Sequence, residues 1–276
     1  MELRFSPLFS GSSGNAIYVG CGDIHLLVDA GLSGTRIANE LARIGVHPGN
    51  LTAILTTHEH VDHVRGVGIL SRKYNLPVYA TEGTWEGMSD KVGAVEARNR
   101  CILTPEQDFY IGEMNVMPFS TPHDANQPVG LSFECRGARF SIATDLGCIR
   151  NGWFKHVCGS DAVLLESNYD PDMLQAGAYP YALKHRILSN RGHLCNEDAG
   201  RCAAELVKGG ARHIILGHLS KENNFPELAY RSVACALEEA GIRPEDVNLS
   251  VASRVEHGPI FTASDEGDVY QEAGNG

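Results

Sequence analysis

The chain has 276 residues, 43% hydrophobic and 21% charged, with a formal net charge of −11. Such usage suits a globular chain with a sizeable core and excludes wholesale disorder. The acidic balance excludes a generally basic nucleic-acid surface, since phosphate contacts need Lys and Arg, but leaves room for a local cleft where bound metal ions dominate the charge.

No apolar run approaches the ~18–20 residues of a membrane helix. The start, Met1-Glu2-Leu3-Arg4-Phe5-Ser6-Pro7, lacks the pattern of a signal peptide. No membrane association is expected, and the chain reads as cytoplasmic. Eight cysteines without a Cys-x-x-Cys pair read as reduced thiols.

Residues 2–8 alternate like a strand and lead into a loop, Ser10-Gly11-Ser12-Ser13-Gly14. Residues 15–19 and 24–28 are expected to pair around Gly20-Cys21-Gly22-Asp23. Residues 35–44 have helical spacing (Ile37, Leu41, Ile44) and stop at Gly45. Leu51-Thr52-Ala53-Ile54-Leu55 is a short buried strand, and further strands are expected at 77–80, 114–119, 130–135 and 139–143. In the second half, 162–165, 213–216, 247–251 and 259–261 read as strands. Helices are expected at 181–188, from an Asn196-Glu197-Asp198 cap to about Lys208, and at 227–240. The tail, 272–276, reads as frayed. No linker or repeat divides the chain, so residues 1–276 read as a single domain, with two sheets packed face to face between helical layers.

The densest chemistry is Thr57-His58-Glu59-His60-Val61-Asp62-His63. His58 and His60 are two apart, so an extended segment points both to one side. His60 and His63 are three apart, which suits one helical turn. Zinc and similar metals take imidazole nitrogen and carboxylate oxygen. The strand just before the run anchors it against a core, which argues against a merely solvated loop.

This run resembles the His-x-His-x-Asp-His signature of the metallo-β-lactamase fold superfamily at every position. Further matches follow apolar strands in the family's order: Asp29 after Leu26-Leu27-Val28, His123 in Thr121-Pro122-His123-Asp124, Asp145 in Ala143-Thr144-Asp145, and His218 in Leu216-Gly217-His218. The resemblance implies a four-layer αββα sandwich of the α/β class and two divalent metal ions, zinc or manganese, with iron as an alternative. It implies one ion held by His58, His60 and His123, a second by Asp62, His63 and His218, and Asp145 bridging them, with Asp29 supporting the ligand loop from behind.

Three more segments narrow the branch. Phe9-Ser10-Gly11-Ser12-Ser13-Gly14-Asn15, together with the stretches around His193 and around Gly217-His218-Leu219-Ser220-Lys221-Glu222-Asn223-Asn224, resembles the YycJ/WalJ branch on the nuclease side of the superfamily. That resemblance implies a phosphodiesterase, foremost a 5′-to-3′ DNA exonuclease, attacking phosphorus with a metal-bridging hydroxide. Its catalytic residues would be Asp62, Asp145 and His193, the last protonating the leaving oxygen or holding the phosphate; a plain helix-entry role is the alternative. Ser12, Ser13, Asn15, Ser220 and Asn223 are candidate phosphate contacts, with turn and capping roles as alternatives. Lys155, Lys184, Arg186 and Arg191 are candidates for a local basic patch. The partner would be DNA or another phosphodiester; the sequence sets no oligomeric state. The competing reading is a hydrolase of carbonyl substrates (β-lactam, lactone or thioester) on the same metals. A metal-binding scaffold without turnover fits less well, because the ligand set is complete.

Overall fold

In the computed structural model, which describes residues 2–149, 152–263 and 269–271, the short apolar runs become the strands of two sheets. The first half runs β1 (Leu3–Phe9), β2 (Ala16–Cys21), β3 (Ile24–Val28), α1 (Gly34–Arg43), β4 (Ala53–Leu55), α2 (Val61–Val64), α3 (Val67–Tyr74) and β5 (Val78–Ala80). Then come α4 (Glu82–Val92), β6 (Arg100–Ile102), β7 (Phe109–Ile111), β8 (Met114–Ser120), β9 (Val129–Cys135) and β10 (Ala138–Ala143). The second half runs α5 (Phe154–Val157), β11 (Ala162–Glu166), α6 (Pro171–Ala176), α7 (Tyr181–Ile187), α8 (Asn196–Lys208) and β12 (His213–Gly217). It closes with α9 (Pro226–Glu239), β13 (Asn248–Val251), β14 (Phe261–Ala263) and β15 (Val269–Gln271). The tail at 272–276, expected to fray, lies outside the described residues.

One sheet has the order β15-β14-β1-β2-β3-β4-β5-β6, the other β13-β12-β11-β10-β9-β8-β7. Each is antiparallel in one part and parallel in the other: β3 to β6 run parallel in the first, β10 to β13 in the second. The inner faces meet in a core that includes Phe5, Val19, Leu26, Val116, Phe133, Phe140 and Leu164. Phe5 and Phe140 stack across it with ring centroids 4.0 Å apart. Helices α1, α3 and α4 pack their apolar residues on the outer face of the first sheet, and α5, α8 and α9 on that of the second. The expected αββα layering is thus the observed one.

Helices α3 and α4 had no counterpart in the sequence reading. Gly83 and Gly87 weaken the helical signature of α4; its buried Trp85, Met88 and Val92 decide the matter through packing. The cysteine expectation also needs correction. Cys21 and Cys135, read as free thiols, form a disulfide between the two sheets. They are 114 residues apart in sequence with Cα atoms 6.8 Å apart, a proximity created by sheet packing alone.

Candidate metal centre

Parallel strands present their C-terminal ends side by side, which is where open α/β sheets bind ligands. Val28 of β3 lies in register with Leu55 of β4, so Asp29 emerges beside the segment beginning at Thr56. In the other sheet, Ala143, Leu165 and Leu216 are in register across β10, β11 and β12. Asp145, Glu166 and His218 therefore leave adjacent strand ends. Asp29, Asp145 and His218 all have left-handed backbone, with φ of 59°, 58° and 56°. Such strain in non-glycine residues persists only where the surroundings over-determine it, and it clusters at functional sites.

The run 58–63 leaves β4 extended and enters α2 after His60, as expected. His58 Nε2 lies 3.1 Å from His60 Nδ1, which lies 3.3 Å from His123 Nε2. This is the spacing of nitrogens about 2.0–2.1 Å from one tetrahedral cation. His123 Nδ1 donates to the Gly192 carbonyl at 3.0 Å, so its Nε2 carries the free lone pair. Asp62, His63 and His218 form a second group, with Asp62 Oδ2 3.7 Å from Nε2 of both imidazoles. Between the groups lies Asp145: Oδ1 is 3.5 Å from His123 Nε2 and Oδ2 is 3.5 Å from His63 Nε2.

Beneath the second group, Asp29 Oδ1 accepts from the Thr57 backbone N–H at 2.8 Å. Its Oδ2 accepts from Thr57 Oγ1 and from His63 Nδ1, each at 2.8 Å. The carboxylate thus sets the turn after β4 and aims His63 Nε2 inward. The backbone is equally close-fitting: a Cβ at Gly31 would lie 1.6 Å from the Asp62 carbonyl oxygen, so only glycine fits there.

Sequence reasoning passed over Glu166, although it ends an apolar strand just as Asp29 and Asp145 follow theirs. It is fully buried. Oε1 accepts from Nδ1 of both His193 and His218 at 2.8 Å, and Oε2 accepts from the backbone N–H of Leu146 and Leu194. His193 is the partly exposed member, its ring centroid 5.1 Å from that of His123 and 5.2 Å from that of His218.

The two groups differ in charge. Burial and the neighbouring imidazoles push His58 well below its ordinary pKa; burial also lowers His60 and His123. Neutral imidazole is the ligand form. Burial opposes charge on His63 too, but Asp29, Asp145 and Asp62 outweigh it and raise it to about 9. Likewise Asp145, Asp62 and Glu166 overcome burial and raise His218 well above its usual value. Burial works against ionising Asp62 and Glu166, yet the adjacent imidazoles hold both well below the usual carboxylate range. These carboxylates demand positive charge, which a divalent cation meets more fully than protons. Asp145 Oδ2 and His218 Nε2 are buried without hydrogen-bond partners. Orphaned buried donors and acceptors are costly, and a cation satisfies both. The residues therefore fit divalent metal ions.

The other expected positions scatter. Ser12 and Ser13 are exposed. Asn15 is buried: its Oδ1 accepts from Gly11 N–H at 2.9 Å and its Nδ2 lies 3.0 Å from His63 Nε2, so it braces the ligand loop. Ser220 and Asn223 are buried too, the Ser220 hydroxyl accepting from the Asn223 backbone N–H, so their polar groups close their own turn. Asn224 belongs to a buried network with Asn196, Ser167 and Asn168. Arg186 pairs with Asp124, and Arg191 donates to the His123 carbonyl at 3.1 Å, which puts both at the rim. Lys155 lies instead on α5, outside the second sheet.

A family described as "Beta-lactamase superfamily domain" matches residues 25–219, a span that holds every ligand candidate above. The chain belongs to the beta-lactamase superfamily. It is 41% identical over 241 residues to a Bacillus anthracis protein named exodeoxyribonuclease YycJ, covering 87% of this chain and 91% of that one. It is 40% identical over 242 residues to exodeoxyribonuclease WalJ of Streptococcus pneumoniae serotype 2, covering 87% and 90%. The superfamily fold recurs in the crystal structure of YhfI from Bacillus subtilis, at a TM-score of 0.70 and 15% identity over 94% of this chain and 99% of that one.

Proposed function

We propose that this superfamily member is a phosphodiesterase with two divalent ions, acting on DNA as a 5′-to-3′ exonuclease. The reading is carried by two ligand groups sharing Asp145, with His193 tethered beside both. The names of its relatives support the choice of DNA. His58, His60 and His123 would hold one ion; Asp62, His63 and His218 the other; Asp145 would serve both. Their donors suit zinc, manganese or iron. Bound there, such ions supply Lewis acidity toward a phosphoryl oxygen and make water acidic enough to ionise near neutral pH.

The chain's own residues do the rest. Glu166 accepts a hydrogen bond from His193 Nδ1–H, so that the ring in its imidazolium form turns its Nε2–H toward the departing sugar oxygen and returns to neutral imidazole on giving up that proton. Asp29, through His63 Nδ1, and Asn15, through its backbone N–H to the Asp62 carbonyl, hold the ligand loop in place. Because both sheets contribute to one centre, the chain works as one catalytic domain, and the cytoplasm is its proposed location.

The test is incubation of 5′-phosphorylated single-stranded and duplex DNA with Mn²⁺ or Zn²⁺. Nucleotides should leave from the 5′ end with the wild type and not with His60→Ala. No release, or equal release by the variant, overturns the reading. Fast turnover of a chromogenic β-lactam or a lactone without DNA cleavage favours the carbonyl reading.

A further inference from the structure

In a chain of net charge −11, the 24 residues 173–196 contain no Asp or Glu and carry Lys184, Arg186 and Arg191. The structure folds this stretch against the metal centre. Gly192 accepts from His123 Nδ1, Arg191 holds the His123 carbonyl, and Arg186 reaches Asp124 at the rim. From Arg186, α7 runs back to Tyr181, about 8 Å along the helix at 1.5 Å per residue.

The exposed face of α7 carries rings as well as charge. Tyr181 is 78% exposed, and His185, one turn on, is exposed beside it. Their ring centroids lie 4.5 Å apart, and Tyr181 Oη and His185 Nε2 are hydrogen-bonded at 2.6 Å. Leu188, 56% exposed, extends the surface toward the site. Lys184 donates to the Gln175 carbonyl, which steadies the ammonium without neutralising it. Exposed rings interleaved with cations, in an otherwise acidic protein, complement the stacked bases and phosphates of a single strand.

We infer that the exposed face of α7, with Tyr181 and His185 as a stacking platform and Lys184 as a phosphate contact, is the rest for the single-stranded DNA that leads to the metal centre. The inference builds on the phosphodiesterase reading and adds where the strand lies. It accounts for how an acidic protein holds a polyanion: one acid-free segment beside the site supplies the local positive field.

The test separates binding from turnover. Fluorescence anisotropy measures the affinity of the full chain for labelled single-stranded DNA over a salt series. Hydrolysis of bis(p-nitrophenyl) phosphate, too small to reach α7, is followed in parallel. Tyr181→Ala should weaken DNA binding about tenfold through lost stacking and lower DNA cleavage relative to small-ester hydrolysis. Lys184→Ala should reduce the slope of log affinity against log salt by about 0.7, the value for one single-strand phosphate contact. Lys73→Ala, on α3 outside the first sheet, should bind DNA as the wild type does. Wild-type affinity and salt slope in both α7 variants overturn the inference while leaving the phosphodiesterase intact. Binding that depends on α7 without any cleavage supports it and overturns the exonuclease instead. A wild type that does not bind single-stranded DNA overturns it outright.

Discussion

His193 Nδ1 and Glu166 Oε1 are 2.8 Å apart, and the same oxygen accepts from His218 Nδ1 at 2.8 Å. One buried carboxylate therefore orients both a candidate ligand and the ring at the mouth of the site. If His193 protonates the leaving oxygen, His193→Ala should retain its metal and lose roughly 10²–10⁴-fold in DNA turnover. The loss should shrink on bis(p-nitrophenyl) phosphate, whose leaving group departs without a proton. Equal losses on both substrates count against proton delivery.

Asp29 fixes both Thr57 and His63 Nδ1 without belonging to either ligand group. Asp29→Asn should keep the fold and lower metal affinity about 10–100-fold, as such supporting contacts typically do. Competition with a chelator measures it, read by elemental analysis. Wild-type affinity in the variant removes Asp29 from the centre's support.

His213 begins β12, is 1% exposed, and is lowered to about 4 by burial. Its folded pKa lies below the unfolded value, so its stabilising contribution is complete above about 6.5 and is lost as pH falls toward about 4. A shift of this size corresponds to roughly 3 kcal/mol. Denaturant unfolding of wild type and His213→Leu at pH 7 and pH 4.5 should show the variant gaining on the wild type in acid. A pH-independent difference between them contradicts the assignment.

The Cys21–Cys135 bridge closes a separation of 114 residues and leaves Cys101, Cys148, Cys158, Cys195, Cys202 and Cys235 as thiols. Thiol titration of the unfolded, unreduced protein should count these six, and eight after reduction. Reduction should lower stability by about 2–5 kcal/mol, the usual cost of losing a native disulfide. Eight thiols before reduction would show that the bridge does not form.

The sequence by itself carried the His/Asp run at 58–63 and the strand ends bearing Asp29, His123, Asp145 and His218, which the superfamily resemblance singled out as candidate ligands and support. Each follows a short apolar strand, so its placement at a strand end is written in neighbouring residues. The two-sheet sandwich was legible for the same reason, because alternating and continuous apolar runs report local backbone. Tertiary structure decided everything that depends on what faces those strands. Glu166 has the same local signature as Asp145, but its role rests on His193 and His218, which lie 27 and 52 residues away. Asn15, Ser220 and Asn223 look like solvent-facing loop residues, yet packing of the ligand loops buries them. Cys21 meets Cys135 only once the sheets are stacked, and Arg186 of α7 meets Asp124 only once the strands of the second sheet are paired. Periodicity encodes which face of an element is apolar; register and packing set which distant residues that face will meet.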